Sequence, residues 1–172
     1  MIFVTVGQER FPFDRLLRII DEAAARGEIG PDLFGQTGFC RYRPQTFPCE
    51  PYLPLSRMRQ LIQESRIVVT HGGVGSIALC LSTGKIPVVM PRKKRLGEHL
   101  DDHQVEFAAM MEAERRVLVA HSPADLVHII NHYEKRVAEL ALPRPPQSGD
   151  LVSYLSRFIE GVERNKRRPV RG

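Results

Sequence analysis

Gly72, Gly73 and Gly75 fall within four residues, directly after the apolar run Ile67-Val68-Val69 and the polar pair Thr70-His71. An apolar run that ends this abruptly in glycines reads as a strand entering a ligand loop. Residues without a Cβ let the backbone lie close against another molecule. Ser76 and Ile77 then open a helical pattern, so the free N–H groups of its first turn face the loop. Bare amides at the positive end of a helix dipole suit a phosphate or another anion. The same glycines also fit a plain strand-to-helix turn with no ligand. His71, at the junction, is the candidate catalytic side chain, able to donate to a phosphate or to the attacking site. Its alternative is a strand-end histidine satisfied by a backbone carbonyl.

A second polar set follows the next apolar run. Residues 91–104 read Pro-Arg-Lys-Lys-Arg-Leu-Gly-Glu-His-Leu-Asp-Asp-His-Gln. The charge run Arg92 to Arg95 reads as a solvated face of a mobile surface loop. Asp101, Asp102, His103 and Gln104 fall at a helix start on the same rim, where side chains can bind sugar hydroxyls and amides can meet phosphate. His99 with His103, and His128 with His132, have the i, i+4 spacing of a metal pair but bring no third ligand, so no metal site is expected. Cys40, Cys49 and Cys80 are odd in number and have no ligand spacing, so they read as reduced packing thiols.

The elements that position these residues alternate. Residues 2–6 form a first strand ending at Gly7, and residues 13–27 have apolar positions at helical spacing. A second strand over 31–38 leads into extended chain punctuated by Pro44, Pro48 and Pro51. Helices are expected at 55–65, 76–82, 101–113 and 123–137, with strands at 67–69, 87–90 and 116–119. This pattern implies an α/β domain, a Rossmann-like parallel sheet with helices on both faces, and such sheets bind ligands beyond the carboxyl ends of their strands. The domain is expected over residues 1–140, with a proline-rich linker at 141–149, a last helix at 150–163 and a basic tail at 164–172.

The 172 residues are 42% hydrophobic and 26% charged, ordinary for one globular domain. Of 25 basic residues, Arg164, Lys166, Arg167, Arg168 and Arg171 lie in the tail, leaving 20 against 20 acids elsewhere. The formal charge of +5 therefore belongs to the tail, read as a solvated end or a contact to an anionic membrane face. Without a recognition helix or aromatic-rich RNA motif, nucleic acid is not an expected partner. No apolar run approaches the roughly 20 residues needed to cross a bilayer, and the start lacks a signal-peptide pattern, so a cytoplasmic protein is expected.

Four motifs together resemble the C-terminal half of family 28 glycosyltransferases. They are Phe3-Val4-Thr5-Val6-Gly7 with Pro12-Phe13-Asp14-Arg15-Leu16, Thr70-His71-Gly72-Gly73-Val74-Gly75-Ser76-Ile77, Gly84-Lys85-Ile86-Pro87 with Val89-Met90-Pro91-Arg92, and Gly97-Glu98 followed by Asp101-Asp102-His103-Gln104. The likeness is to free-standing versions of that half: the cytosolic subunit of the two-part dolichol-linked N-acetylglucosaminyltransferase and similar bacterial exopolysaccharide subunits. The resemblance implies half of a GT-B fold that binds a UDP-sugar donor, with a membrane-anchored partner subunit holding a lipid-linked acceptor. It implies inverting transfer that needs no cofactor and no metal, and recruitment to the cytoplasmic membrane face by the partner. Carried onto this chain, Gly72, Gly73, Val74, Gly75 and Ser76 would cradle the diphosphate. Asp102, His103 and Gln104 would contact the donor sugar, and Gly7 with Gln8 would line the pocket. Leu79 departs from the pattern, standing where many relatives carry an acid for the ribose. That departure keeps open a non-catalytic nucleotide-sugar-binding or regulatory module. Glu98, Asp101 and Asp102 are acceptor-base candidates by location only.

Overall fold

The computed structural model describes residues 1–140, so the linker, last helix and basic tail expected beyond them lie outside the described residues. Six strands form one sheet: β1 (Ile2–Thr5), β2 (Leu33–Gln36), β3 (Cys49–Glu50), β4 (Ile67–Thr70), β5 (Val88–Val89) and β6 (Leu118–Val119). Every pairing is parallel, in the order β3-β2-β1-β4-β5-β6. The helices are α1 (Asp14–Ala25), α2 (Leu55–Glu64), α3 (Val74–Ser82), α4 (His103–Ala113), α5 (Pro123–Asn131) and α6 (Tyr133–Glu139). This is the Rossmann-like architecture read from the sequence. Strand order reverses between β1 and β4, which pair Thr5 with Thr70. At such a reversal a parallel sheet opens a ligand crevice.

The central strands are buried on both sides, as a covered parallel sheet requires. Ile2 and Val4 of β1 and Ile67 and Val69 of β4 join Leu16, Leu17 and Ile20 of α1 and Leu126, Ile129 and Ile130 of α5 in one cluster. Phe3 and Val68 point the other way, into Met58, Leu61 and Ile62 of α2 and Cys80 of α3. The two-residue alternation of strand side chains thus supplies both cores, and each fully buried Leu or Ile contributes about 1.5–3 kcal/mol. Helix α3 stops because Gly84 adopts a left-handed backbone, which lets Lys85 N–H reach the Cys80 carbonyl and close the last turn.

Three details differ from the sequence reading. The proline-punctuated extended segment contains a short edge strand, β3, because Gly35 N–H and Thr37 N–H bond the Pro48 and Glu50 carbonyls. Helix α3 begins at Val74, two residues before the expected start at Ser76, because the loop glycines sit against the next element and the turn tightens at once. The single helix expected over 123–137 breaks at His132. There the His132 ring bonds the His128 carbonyl, and Tyr133 turns inward to donate to the Ile86 carbonyl at 2.6 Å.

Candidate functional site

The crevice at the strand reversal is bounded by the loops after β1, β4 and β5. The β4 loop carries the glycines, and each has a different reason to lack a side chain. A Cβ on Gly72 would lie 2.6 Å from the Gln104 carbonyl oxygen, so α4 can start against this backbone only because Gly72 is bare. A Cβ on Gly73, or on Gly7 of the β1 loop, would collide with the His71 imidazole. Gly75 has nothing within 4 Å of where its Cβ would be, so its face is open. Gly73 caps α3 without a side-chain bond, and among the described residues no acceptor pairs the amides of Val74, Gly75 or Ser76. The first turn of α3 therefore presents three free donors and the positive end of the helix dipole to the crevice.

His71 is 4% exposed, enclosed between Gly7 and Gly73, with its Nδ1 3.3 Å from Thr70 Oγ1. Burial, with the Arg92 guanidinium adding repulsion, pushes its pKa down to about 3, so the ring is neutral at physiological pH. A neutral imidazole here fixes the two glycine loops relative to each other. Beside it lies a buried polar network. Gly7 N–H donates to Thr5 Oγ1 at 3.3 Å and to Gln36 Oε1 at 3.1 Å, while Gln36 Nε2 donates back to the Gly7 carbonyl at 3.0 Å and to that of Pro51 at 2.7 Å. Gly7 takes the left-handed backbone this turn requires, a conformation that costs a residue without a Cβ little. Gln8 is exposed beyond it, and its side chain donates to the Leu53 carbonyl at 3.3 Å.

The β5 loop corrects the reading of Arg92 to Arg95 as a solvated face at one residue: Lys94 and Arg95 are exposed and Lys93 is half-buried, but Arg92 turns inward. Arg92 is fully buried: its Nη2 donates to the Val6 carbonyl at 2.7 Å and the Phe11 carbonyl at 2.9 Å, and its guanidinium sits over the Phe13 ring. Its Nε and Nη1 have no hydrogen-bond partner among the described residues, though Glu9 lies 3.7 Å from Nη1. Arg92 thus clamps the β1 loop to the β5 loop. A run of like charges in sequence hides the member that turns inward, and only the flanking apolar Met90-Pro91 hints at it. Glu98 is likewise buried, taking two bonds from Arg15 at 2.6 and 2.8 Å and one from the Lys93 amide at 3.0 Å. A carboxylate so engaged is not free to act as an acceptor base.

The donor-sugar candidates are brought to the same mouth, where they are partly engaged. Gln104 is 6% exposed, with its Oε1 3.3 Å from the Arg92 amide. Asp102, at the cap of α4, is exposed and accepts from the Lys94 amide at 2.9 Å. His103 is half-buried with its Nδ1 2.8 Å from Asp101 Oδ2, and Asp101 also takes His99 Nδ1 at 3.0 Å. Burial works to raise the Asp101 pKa, but the His103 amide and the two imidazoles outweigh it and hold the carboxyl below its usual range. Leu79 packs against the cluster of Phe3, Met58 and Ile62, so its position serves the core. Among the described residues no group of three or more His, Cys, Asp or Glu side chains is arranged to hold a metal ion.

Fold and site together define an open α/β domain with anion-directed amides at the topological switch point. The chain belongs to glycosyltransferase family 28: residues 1–141 match its C-terminal domain. Among solved structures, that of the glycosyltransferase SnogD from Streptomyces nogalater aligns over 91% of this chain and 42% of its own, at 14% identity and TM-score 0.42. This chain therefore spans about two fifths of the length of that glycosyltransferase. No protein of curated function matches the sequence. Among the described residues no helix is long and apolar enough to cross a membrane.

Proposed function

We propose that this chain is the donor-binding subunit of a two-part glycosyltransferase that moves a sugar from a UDP-sugar to a lipid-linked acceptor, with inversion, in exopolysaccharide or glycolipid synthesis. The observation that carries this reading is the open first turn of α3, where three unpaired amides meet the crevice beside Gly75. As the bond between the sugar and UDP breaks, negative charge grows on the leaving diphosphate. Fixed amides and a helix dipole stabilise that charge without reorganising. His71 packs between the β1 and β4 loops, the Thr5–Gln36 network ties the β1 turn to β2, and Arg92 ties it to the β5 loop, so the donors need not be organised at the moment of reaction. The acceptor and its base would come from a membrane-anchored partner whose closure excludes water. Membrane recruitment would follow from that partner.

The test is titration of the purified chain with UDP, UDP-glucose, UDP-glucuronic acid and UDP-N-acetylglucosamine, beside Gly75→Leu. The open face at Gly75 admits the leucine without disturbing the fold, so unfolding should be unchanged and affinity weaker by at least about tenfold. A variant that binds as well as wild type would rule out the loop. A second reading, a binding or regulatory module without transfer activity, draws on the apolar packing of Leu79 where a ribose-binding acid would stand. Donor-dependent transfer with the partner present excludes it.

A further inference from the structure

The large apolar side chains most exposed among the described residues are Phe39, Tyr52, Leu55, Leu96 and Leu100, and all five lie on segments that follow the carboxyl ends of β2, β3 and β5. One end of the domain, the end that holds the crevice, therefore carries all of them. Phe39 and Tyr52 cover each other in an edge-to-face pair with ring centres 5.7 Å apart. Leu96 and Leu100 have no such cover and are 47% and 72% exposed. They sit on the β5 loop directly beside Lys93, Lys94 and Arg95, none of which has an acidic partner among the described residues. The nearby acids are engaged elsewhere: Glu98 with Arg15, Asp101 with His99 and His103, and Asp102 with the Lys94 amide.

This loop is held out, not left loose. Residues Lys94–Leu96 form a 3₁₀ turn closed by Gly97 in the left-handed region, and Arg92 and Glu98 anchor both sides in the buried interior. A floppy loop would fold its leucines back onto the domain, whereas this one cannot without breaking the Arg15–Glu98 pair. From this we infer that residues 93–100 are a membrane-docking loop, whose leucines enter the headgroup region of an anionic phospholipid bilayer while Lys93, Lys94 and Arg95 meet the lipid phosphates. Two leucines are too few for a stable protein interface, which needs about 1,000 Å² of buried surface. They suffice at a bilayer when cations add their attraction to an anionic surface. This contact does not depend on the proposed function above.

The test is co-sedimentation of the full chain with phosphatidylcholine vesicles, with and without phosphatidylglycerol. Wild type should bind the anionic vesicles and be released by salt. Replacing Lys94 and Arg95 by Ala should weaken partitioning about fivefold for each charge removed. Leu96→Ser with Leu100→Ser should weaken it with charge unchanged, while a chain with Arg164, Lys166, Arg167 and Arg168 replaced by Ser should keep the leucine-dependent part. A fluorophore on Leu100→Cys should shift to the blue only with anionic vesicles. The inference is overturned if wild type ignores anionic vesicles, if both loop variants bind them as wild type does, or if the leucine variant loses only capture of a protein partner. UDP-sugar titration of the leucine variant separates the two proposals. Retained donor affinity with lost vesicle binding supports the loop, and absent donor affinity in wild type would defeat the proposed function while leaving the vesicle result standing.

Discussion

The β4 and β5 loops face the same crevice and are built in opposite ways. The β4 loop works through what it lacks. Bare Gly72 and Gly73 let α4 and His71 pack against the backbone, and open Gly75 leaves the amides of α3 free. The β5 loop works through side chains that turn inward, with Arg92 and Glu98 buried while Lys94 to Gly97 and Leu100 are exposed. A site that binds through backbone must be emptied of side chains, and the loop beside it must then supply the rigidity. The two are joined directly, since Gln104 of α4 lies against Gly72 and its side chain takes the Arg92 amide.

That contrast can be broken from either side. The largest effect should come from the β5 loop: Glu98→Ala leaves Arg15 and the Lys93 amide without partners, at a cost of about 2–3 kcal/mol. The figure is discounted because Arg15 remains about a quarter exposed. Denaturant unfolding measures it, and a cost near zero would mean that this loop needs no anchor. On the β4 side, Gly72→Ala must push against the Gln104 backbone. Such overpacking should cost about 2 kcal/mol. Gly75→Ala, by contrast, places its methyl in open space on a helical turn. It should be neutral, or stabilising by up to about 1 kcal/mol through helix propensity. Equal effects at the two glycines would remove the distinction between a packing glycine and an open one.

The third handle is pH. His71 has a pKa of about 3 in the fold and an ordinary value of 6.5 when unfolded. The unfolded chain therefore binds the extra proton, and the stability held above pH 6.5 is lost as pH falls toward about 3. The slope is at most about 1.4 kcal/mol per pH unit. Just below the unfolded value and still above the carboxylate range, this slope should be clear in wild type and shallower in His71→Gln. Parallel curves would show that enclosure of a neutral ring between Gly7 and Gly73 is not its source.

Much of this was legible in the chain. Continuous apolar runs alternating with helical spacing implied a covered parallel sheet, because a strand buried on both faces has no polar positions to spare. Three glycines after a strand, with a helix pattern following, pointed to the loop and its amides, because backbone chemistry is announced by missing side chains. Chain-distant partners were not legible. Arg15 meets Glu98 across 83 positions and Arg92 reaches Val6 across 86, and no local pattern records such pairs. The sequence could not separate Arg92 from Lys93, Lys94 and Arg95, nor Gly72 from Gly75. A residue's type fixes what it can do, but only the packing of β1, β4, β5 and α4 around one crevice decides which guanidinium is buried, which glycine is open and which leucines face outward.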